Sequence, residues 1–225
     1  MRREFQVPSF RVQETLSTES AARSVSAPAV VTFGPRCCER LSRSELLSWL
    51  RSGCQVSSGR KPETLKPETL NPETIHRIVL HCSATKPSQD YTVERLARDH
   101  KKRGFGEWPG YHFYVTKDGT LYYCRPIGVK GCHVKGHNEG TVGVCYEGGL
   151  DEWGKPMDTR TAEQMITLHW LLVTLHEIWP RARICGHRDF SPDKNGNGKI
   201  EPWEYVKACP CFDAAHEYDY IFKIT

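Results

Sequence analysis

Between Lys61 and Ile75 a five-residue unit is written three times: Lys61-Pro62-Glu63-Thr64-Leu65, Lys66-Pro67-Glu68-Thr69-Leu70 and Asn71-Pro72-Glu73-Thr74-Ile75. A proline at every fifth position removes a backbone donor and disfavours the α region at the residue before it, so neither helix nor sheet readily propagates. Three units are too few to stack as a solenoid. The stretch reads as a linker, and it divides the 225 residues into a leader with its linker, residues 1–74, and one ordinary domain, residues 75–225. Residues 1–36 are rich in Ser, Thr, Arg and Ala without periodicity and lack the apolar surface that would offset ordering entropy, which predicts disorder. Ser44 and Gly53 frame one short expected helix between them.

Charge narrows the range of partners. The formal net charge is +4, but residues 1–74 hold 11 Lys/Arg against 8 Asp/Glu, leaving 20 against 19 in the domain. Counterion release onto nucleic acid needs a clustered basic stripe, which this near balance does not suggest, so no nucleic-acid partner is expected. No apolar run approaches the roughly 20 residues of a membrane helix, so no membrane span is expected either. Ten cysteines would suit a secreted disulfide scaffold, yet the chain starts Met1-Arg2-Arg3-Glu4 and continues polar. The apolar stretch Ala29 to Phe33 is too short for a signal core. The expectation is a cytoplasmic, monomeric product with mostly reduced thiols, acting elsewhere only after release or export.

From His76 onward the texture is that of a folded domain. Arg77 to Cys82 is a β-branched run that predicts a buried strand. Val93, Leu96, Ala97 and His100 recur at helical spacing, and Gly104 closes that helix. Tyr111 to Thr116 and Thr120 to Cys124 flank Lys117-Asp118-Gly119, a hairpin signal. Thr141 to Tyr146 predicts another strand. Met165, Leu168, Leu172, Leu175 and Trp179 make one stripe on a long helix with a Thr161/Gln164 capping box, and Pro180 stops it. Ile184 to His187 predicts a short late strand. Strands and helices interleave, so the fold class is α/β or α+β: a single mixed central sheet flanked by helices, with the long helix packed across it.

His81 ends the first predicted strand, His187 ends the last, and Cys209 lies in Ala208-Cys209-Pro210-Cys211. Two imidazoles and a thiolate with an open fourth position make a catalytic zinc arrangement, whereas structural zinc usually takes four protein ligands. Spacing alone does not single these three out from ten His and ten Cys.

The local motifs do. His81-Cys82-Ser83-Ala84-Thr85, Gly110-Tyr111-His112-Phe113, His133-Val134-Lys135-Gly136-His137-Asn138, Val142-Gly143-Val144, Gly186-His187-Arg188-Asp189 and Lys207-Ala208-Cys209-Pro210 occur in one order. Together they closely resemble the zinc N-acetylmuramoyl-L-alanine amidases of the phage endolysin type, relatives of the peptidoglycan recognition proteins. The resemblance covers about residues 75–215. It implies that His81, His187 and Cys209 hold Zn2+, with Cys209 rather than Cys211 taking the family position before proline. It also implies that Tyr111 and Lys207 are catalytic, that His133, Lys135 and Asn138 line the substrate groove, and that the substrate is peptidoglycan, cut between N-acetylmuramic acid and L-alanine. Zinc activates water near neutral pH, Tyr111 can donate a hydrogen bond, and Lys207 can offset charge developing on the amide oxygen. Which of the two shuttles the proton is left open. A family member that keeps the groove without catalysis, a peptidoglycan-binding module, is the alternative. Such proteins typically lack the cysteine ligand, and Cys209 is present.

Two readings of Asp189 stand side by side: orienting a ligand imidazole, or capping a turn. His112 should face away from Tyr111 on a strand, which makes it a poorer ligand than His81. Between the last two ligands, Asp193 to Glu204 matches the twelve-residue calcium loop, with Asp193, Asn195 and Asn197 at the first, third and fifth places, Gly198 at the sixth, Lys199 at the seventh and Glu204 at the twelfth. Ca2+ is thus a second candidate ion, and a calcium-regulated interaction protein a further rival reading. Asn-Gly turns also form with no ion, and Ser191-Pro192 argues against a normal entering helix. Cys82, Cys124, Cys132, Cys145, Cys185 and Cys211 are expected to be mostly buried free thiols, with a Cys124–Cys132 bridge the one conceivable pairing.

Overall fold

The computed structural model describes residues 30–32, 40–41 and 75–224. The helix expected between Ser44 and Gly53, and the linker up to Thr74, lie outside the described residues.

Five strands build the domain's sheet: β3 (Arg77–Cys82), β4 (Phe113–Val115), β5 (Leu121–Tyr123), β6 (Thr141–Tyr146) and β7 (Arg183–Gly186). Two short segments of the front stretch, β1 (Val30–Thr32) and β2 (Arg40–Leu41), extend it, giving the order β2-β1-β5-β4-β6-β3-β7. The composition of residues 1–36 did not anticipate β1. Its run of Val30, Val31 and Thr32 suits a pleated strand, and the open edge of β5 accepts it in parallel. The sheet is mixed, as expected: β4, β6, β3 and β7 run parallel, and β5 returns antiparallel to β4 through the Asp118-Gly119 turn. Gly119 takes φ 79° there, a conformation glycine supplies without strain.

Alternation along β3 separates two layers. Ile78, Leu80 and Cys82 join Val142, Val144 and Tyr146 of β6 under α2 (Ala162–Ile178). On the opposite face Cys145 of β6 and Tyr114 of β4 pack with Val93 and Leu96 of α1 (Val93–Lys102). His81 shares that second face, because its partner across the β3–β6 ladder is Cys145. The two long connections thus cover opposite sides and leave the carboxyl ends of the parallel strands free for a site. The C-terminal run, with α3 (Ala214–Glu217) and α4 (Ile221–Ile224), is tied to the α2 side by Arg160. Its guanidinium bridges Asp158 and Glu217, each at 2.7 Å, over the ring of Phe212.

The long helix starts with the capping box expected, Thr161 and Gln164 exchanging hydrogen bonds, but its inward stripe begins one residue earlier than the spacing predicts. Met165 is 43% exposed and Gln164 is fully buried. The Gln164 amide donates to Val115 O at 3.1 Å and Glu147 O at 2.9 Å, satisfying carbonyls at the ends of β4 and β6. Gln164→Ala should therefore cost about 2–3 kcal/mol of stability, since it strands buried polar groups, and Thr161→Ala nearer 1 kcal/mol. Urea unfolding of the two variants checks the order.

Two buried histidines on the α1 side hold loops rather than charge. His100 Nδ1 accepts from Gly110 N–H at 2.8 Å, and His112 Nδ1 accepts from Gly143 N–H at 3.0 Å. Burial pushes each down to about 4. Between pH 6.5 and 4 the unfolded chain binds these two protons and the folded chain does not. Stability should therefore be full above pH 6.5 and fall as pH drops, by about 1.4 kcal/mol per pH unit for each ring. Unfolding free energies at pH 7, 6 and 5 test this; a flat profile contradicts it.

Candidate metal centre

The register of β3 and β7 sets two ligands side by side. Leu80 pairs with Gly186, so the next residues, His81 and His187, leave the sheet as neighbours. His81 Nδ1 and His187 Nδ1 stand 3.1 Å apart, and Cys209 Sγ lies 3.7 Å from His81 Nδ1. All three ligand atoms fall within 4.8 Å of one another, and among the described residues no other His, Cys, Asp or Glu joins them. A tetrahedral zinc with Zn–N about 2.0–2.1 Å and Zn–S about 2.3 Å demands ligand–ligand edges of about 3.4 and 3.6 Å. The two edges at His81, 3.1 and 3.7 Å, lie close to these values, and a donor set of two imidazoles and one thiol suits that ion.

Cys209 arrives from far along the chain and is held through its backbone. Arg188 N–H donates to Cys209 O at 2.7 Å, and Tyr146 OH to Pro210 O at 2.7 Å. Gly186 permits this approach, since a Cβ there would meet Pro210 Cδ at 2.6 Å. Cys82 N–H donates to Cys209 Sγ at 3.3 Å, which fixes the sulfur toward the end of β3. Cys211 turns away: its thiol donates to Gly149 O at 3.1 Å and lies 3.8 Å from Cys82 Sγ. The described cysteines are all free, so Cys124 and Cys132 are unbridged.

Burial, then His133, His187 and Lys207, drive the His81 pKa well below its ordinary value. Burial and then Lys207 bring His187 down to about 4. Both rings are neutral at physiological pH, the state in which imidazole ligates metal. Lys207 is exposed, and its positive charge contributes to the lowering at both rings. The Tyr111 ring packs 5.1 Å from that of His81. It is presented by the Gly110–His100 bond and by Arg125, whose guanidinium gathers the carbonyls of Phe105, Trp108 and Pro109. Burial pushes the Tyr111 phenol well above its usual value.

The three residues expected along a groove separate. Lys135 is exposed. Asn138 turns its side chain inward, Oδ1 accepting from His133 N–H at 2.9 Å and Val134 N–H at 2.8 Å. His133 is buried, its Nδ1 3.0 Å from His81 Nε2. Sequence reasoning missed that contact, although a glycine inside the β-branched Val142-Gly143-Val144 strand was a signal of something packed closely against it. Asp189 takes the capping role: its carboxylate accepts from Gly186 N–H at 2.7 Å. His112 has both ring nitrogens engaged, with Gly143 N–H and with Val129 O at 3.1 Å.

The stretch Asp193 to Glu204 folds on itself between two single-turn 3-10 segments, His187–Phe190 and Pro202–Glu204, without the long flanking helices of an EF-hand. Asp193 accepts from Gly196 and Gly198 N–H, Asn195 from Asn197 N–H, and Asn197 from Lys199 N–H, all within 3.0 Å. Glu204 is buried and accepts from Lys194 and Glu201 N–H. These bonds shape the turn between His187 and Cys209.

Residues 71–204 match the N-acetylmuramoyl-L-alanine amidase family, a span that stops just short of Lys207 and Cys209. An endolysin of Enterobacteria phage K11 is 39% identical over 134 residues, 60% of this chain and 79% of its own. An uncharacterised protein of Haemophilus influenzae is 49% identical over 96 residues, 43% of this chain and 83% of its own. Among solved structures, the endolysin N-acetylmuramoyl-L-alanine amidase LysCS of Clostridium intestinale is similar with a TM-score of 0.50 at 26% identity, covering 65% of this chain and 82% of that one. With more than half its length in the match, and with His81 and His187 inside it, the chain belongs to the N-acetylmuramoyl-L-alanine amidase family.

Proposed function

We propose that this chain is a zinc-dependent peptidoglycan hydrolase that cleaves the amide bond between N-acetylmuramic acid and the first L-alanine of the stem peptide. The observation that carries the reading is the convergence of His81 Nδ1, His187 Nδ1 and Cys209 Sγ within 4.8 Å, at the strand ends of a family member. Zinc in such a site supplies Lewis acidity that activates water near neutral pH and polarises a carbonyl oxygen.

The rest of the work falls to the chain. Tyr111, held protonated by burial, is a hydrogen-bond donor to the oxygen on which charge develops. Lys207 sets a cation beside the same position and offsets that charge. Neutral His81 and His187 keep their lone pairs for the metal, and the Cys82 amide orients the Cys209 sulfur. The bond and the sugar follow from the family; the hydrolytic chemistry follows from the residues. No helix among the described residues is long and apolar enough to cross a membrane.

One zinc per chain is expected in the wild-type protein. Cys209→Ser should abolish both the bound zinc and the turbidity loss of purified walls, and mass spectrometry of the wild-type digest should find a free L-alanine amine and an intact muramic acid end. Zinc-free wild-type protein that still binds walls would instead favour the recognition module. Tyr111→Phe and Lys207→Ala should keep one zinc per chain while lowering kcat by about 10²- to 10³-fold. Loss of zinc in either variant would make that residue structural.

A further inference from the structure

His133 sits in a pocket shaped for its ring. A Cβ on Gly143 would meet His133 Cγ and Cδ2 at 2.7 Å, and one on Gly131 would collide with the same ring from another side. Both ring nitrogens are engaged: Nδ1 at 3.0 Å from His81 Nε2, and Nε2 at 3.3 Å from Thr141 Oγ1. The Thr141 hydroxyl also lies 3.0 Å from Asn138 O and 3.3 Å from His137 O. All three side chains are buried.

The shortest of the three Thr141 contacts, to Asn138 O at 3.0 Å, sets one proton assignment along this chain. A carbonyl oxygen only accepts, so the single Thr141 hydroxyl proton goes to Asn138 O. The Thr141 oxygen then accepts, so His133 carries its proton on Nε2 and presents a lone pair at Nδ1. His81 must place its own proton on Nε2 to meet that lone pair. Its Nδ1 is left bare, and this is the atom that faces His187 and Cys209.

We propose that His133, backed by Thr141 and seated between Gly131 and Gly143, is a positioning residue that fixes the His81 ring and its Nε2–H tautomer before the metal arrives. The assignment rests on the zinc reading above, and it replaces the groove-lining role that the resemblance implied for His133. Partners of this kind behind a ligand imidazole typically carry 10- to 100-fold of metal affinity.

The test is zinc affinity, by competition with a chromophoric chelator, in the full chain. His133→Phe fills the pocket without an acceptor and should weaken zinc binding 10- to 100-fold. His133→Asn returns an acceptor at the Nδ1 position and should recover most of that loss. Thr141→Val, which leaves both rings in place, should weaken binding by roughly 3- to 10-fold, the lower part of the range for such partners. The cobalt(II)-substituted His133→Phe protein should show altered ligand-field bands. Nitrogen-15 shifts of the metal-free wild type should report His81 protonated at Nε2. Wild-type affinity in His133→Phe, failure of His133→Asn to recover, or an Nδ1–H His81 overturns the inference while leaving the zinc reading intact. If His133→Phe does not fold, an unchanged affinity in Thr141→Val overturns it instead. Wild-type protein that binds no zinc overturns both.

Discussion

Parallel pairing of β3 with β7 is the constraint on which the site depends. With Leu80 opposite Gly186, the residues that follow on each strand are His81 and His187, delivered to the same end of the sheet. The pleat then decides the face. A slip of one residue would send His81 into the apolar layer beneath α2 and bury an imidazole among Leu168, Leu172 and Leu175. The register is protected because the same slip would turn Ile78 and Leu80 out of that layer.

Close approach of backbones does the rest. Gly186 lets Pro210 lie against β7 and brings Cys209 to the two imidazoles. Gly143, in the middle of β6, leaves a flat place on the sheet that the His133 ring occupies. A side chain at either position would push apart groups whose separation sets ligand geometry. The electrostatics agree with the packing: desolvation keeps the buried imidazoles uncharged, so burial itself prepares them as ligands. Lys207 adds a positive charge at the exposed rim, where water can solvate it.

Periodicity carried most of the architecture. The β-branched run at Arg77, the capping box at Thr161 and the Asp118-Gly119 turn each specify their element through short-range physics, and each element is where its signal lies. The long helix buries Leu168, Leu172, Leu175 and Trp179 as the spacing predicts and departs from it only in the first turn, where hydropathy favours Met165 inward but Gln164 takes that place. A buried Gln164 is stable only through carbonyls contributed by β4 and by the residue after β6, and a linear pattern holds no trace of those. The grouping of His81, His187 and Cys209 was legible through ordered motifs, though not through spacing. The partners behind it were not: His133, Lys135 and Asn138 are nearly contiguous, yet one backs a ligand, one is solvated and one fastens the loop.

Local sequence therefore determined the elements, their caps and turns, and which residue types were present for metal chemistry, because these depend on neighbours a few positions apart. Tertiary structure alone decided that His81 uses Nδ1 toward Cys209 and Nε2 toward His133, and that Cys211 turns to Gly149 O. Those outcomes depend on strand register, on which backbones approach across a glycine, and on which hydrogen-bond partners burial brings within reach. The contacts that orient His81 and Cys209 join groups 52 to 128 residues apart, and only the closed fold sets them.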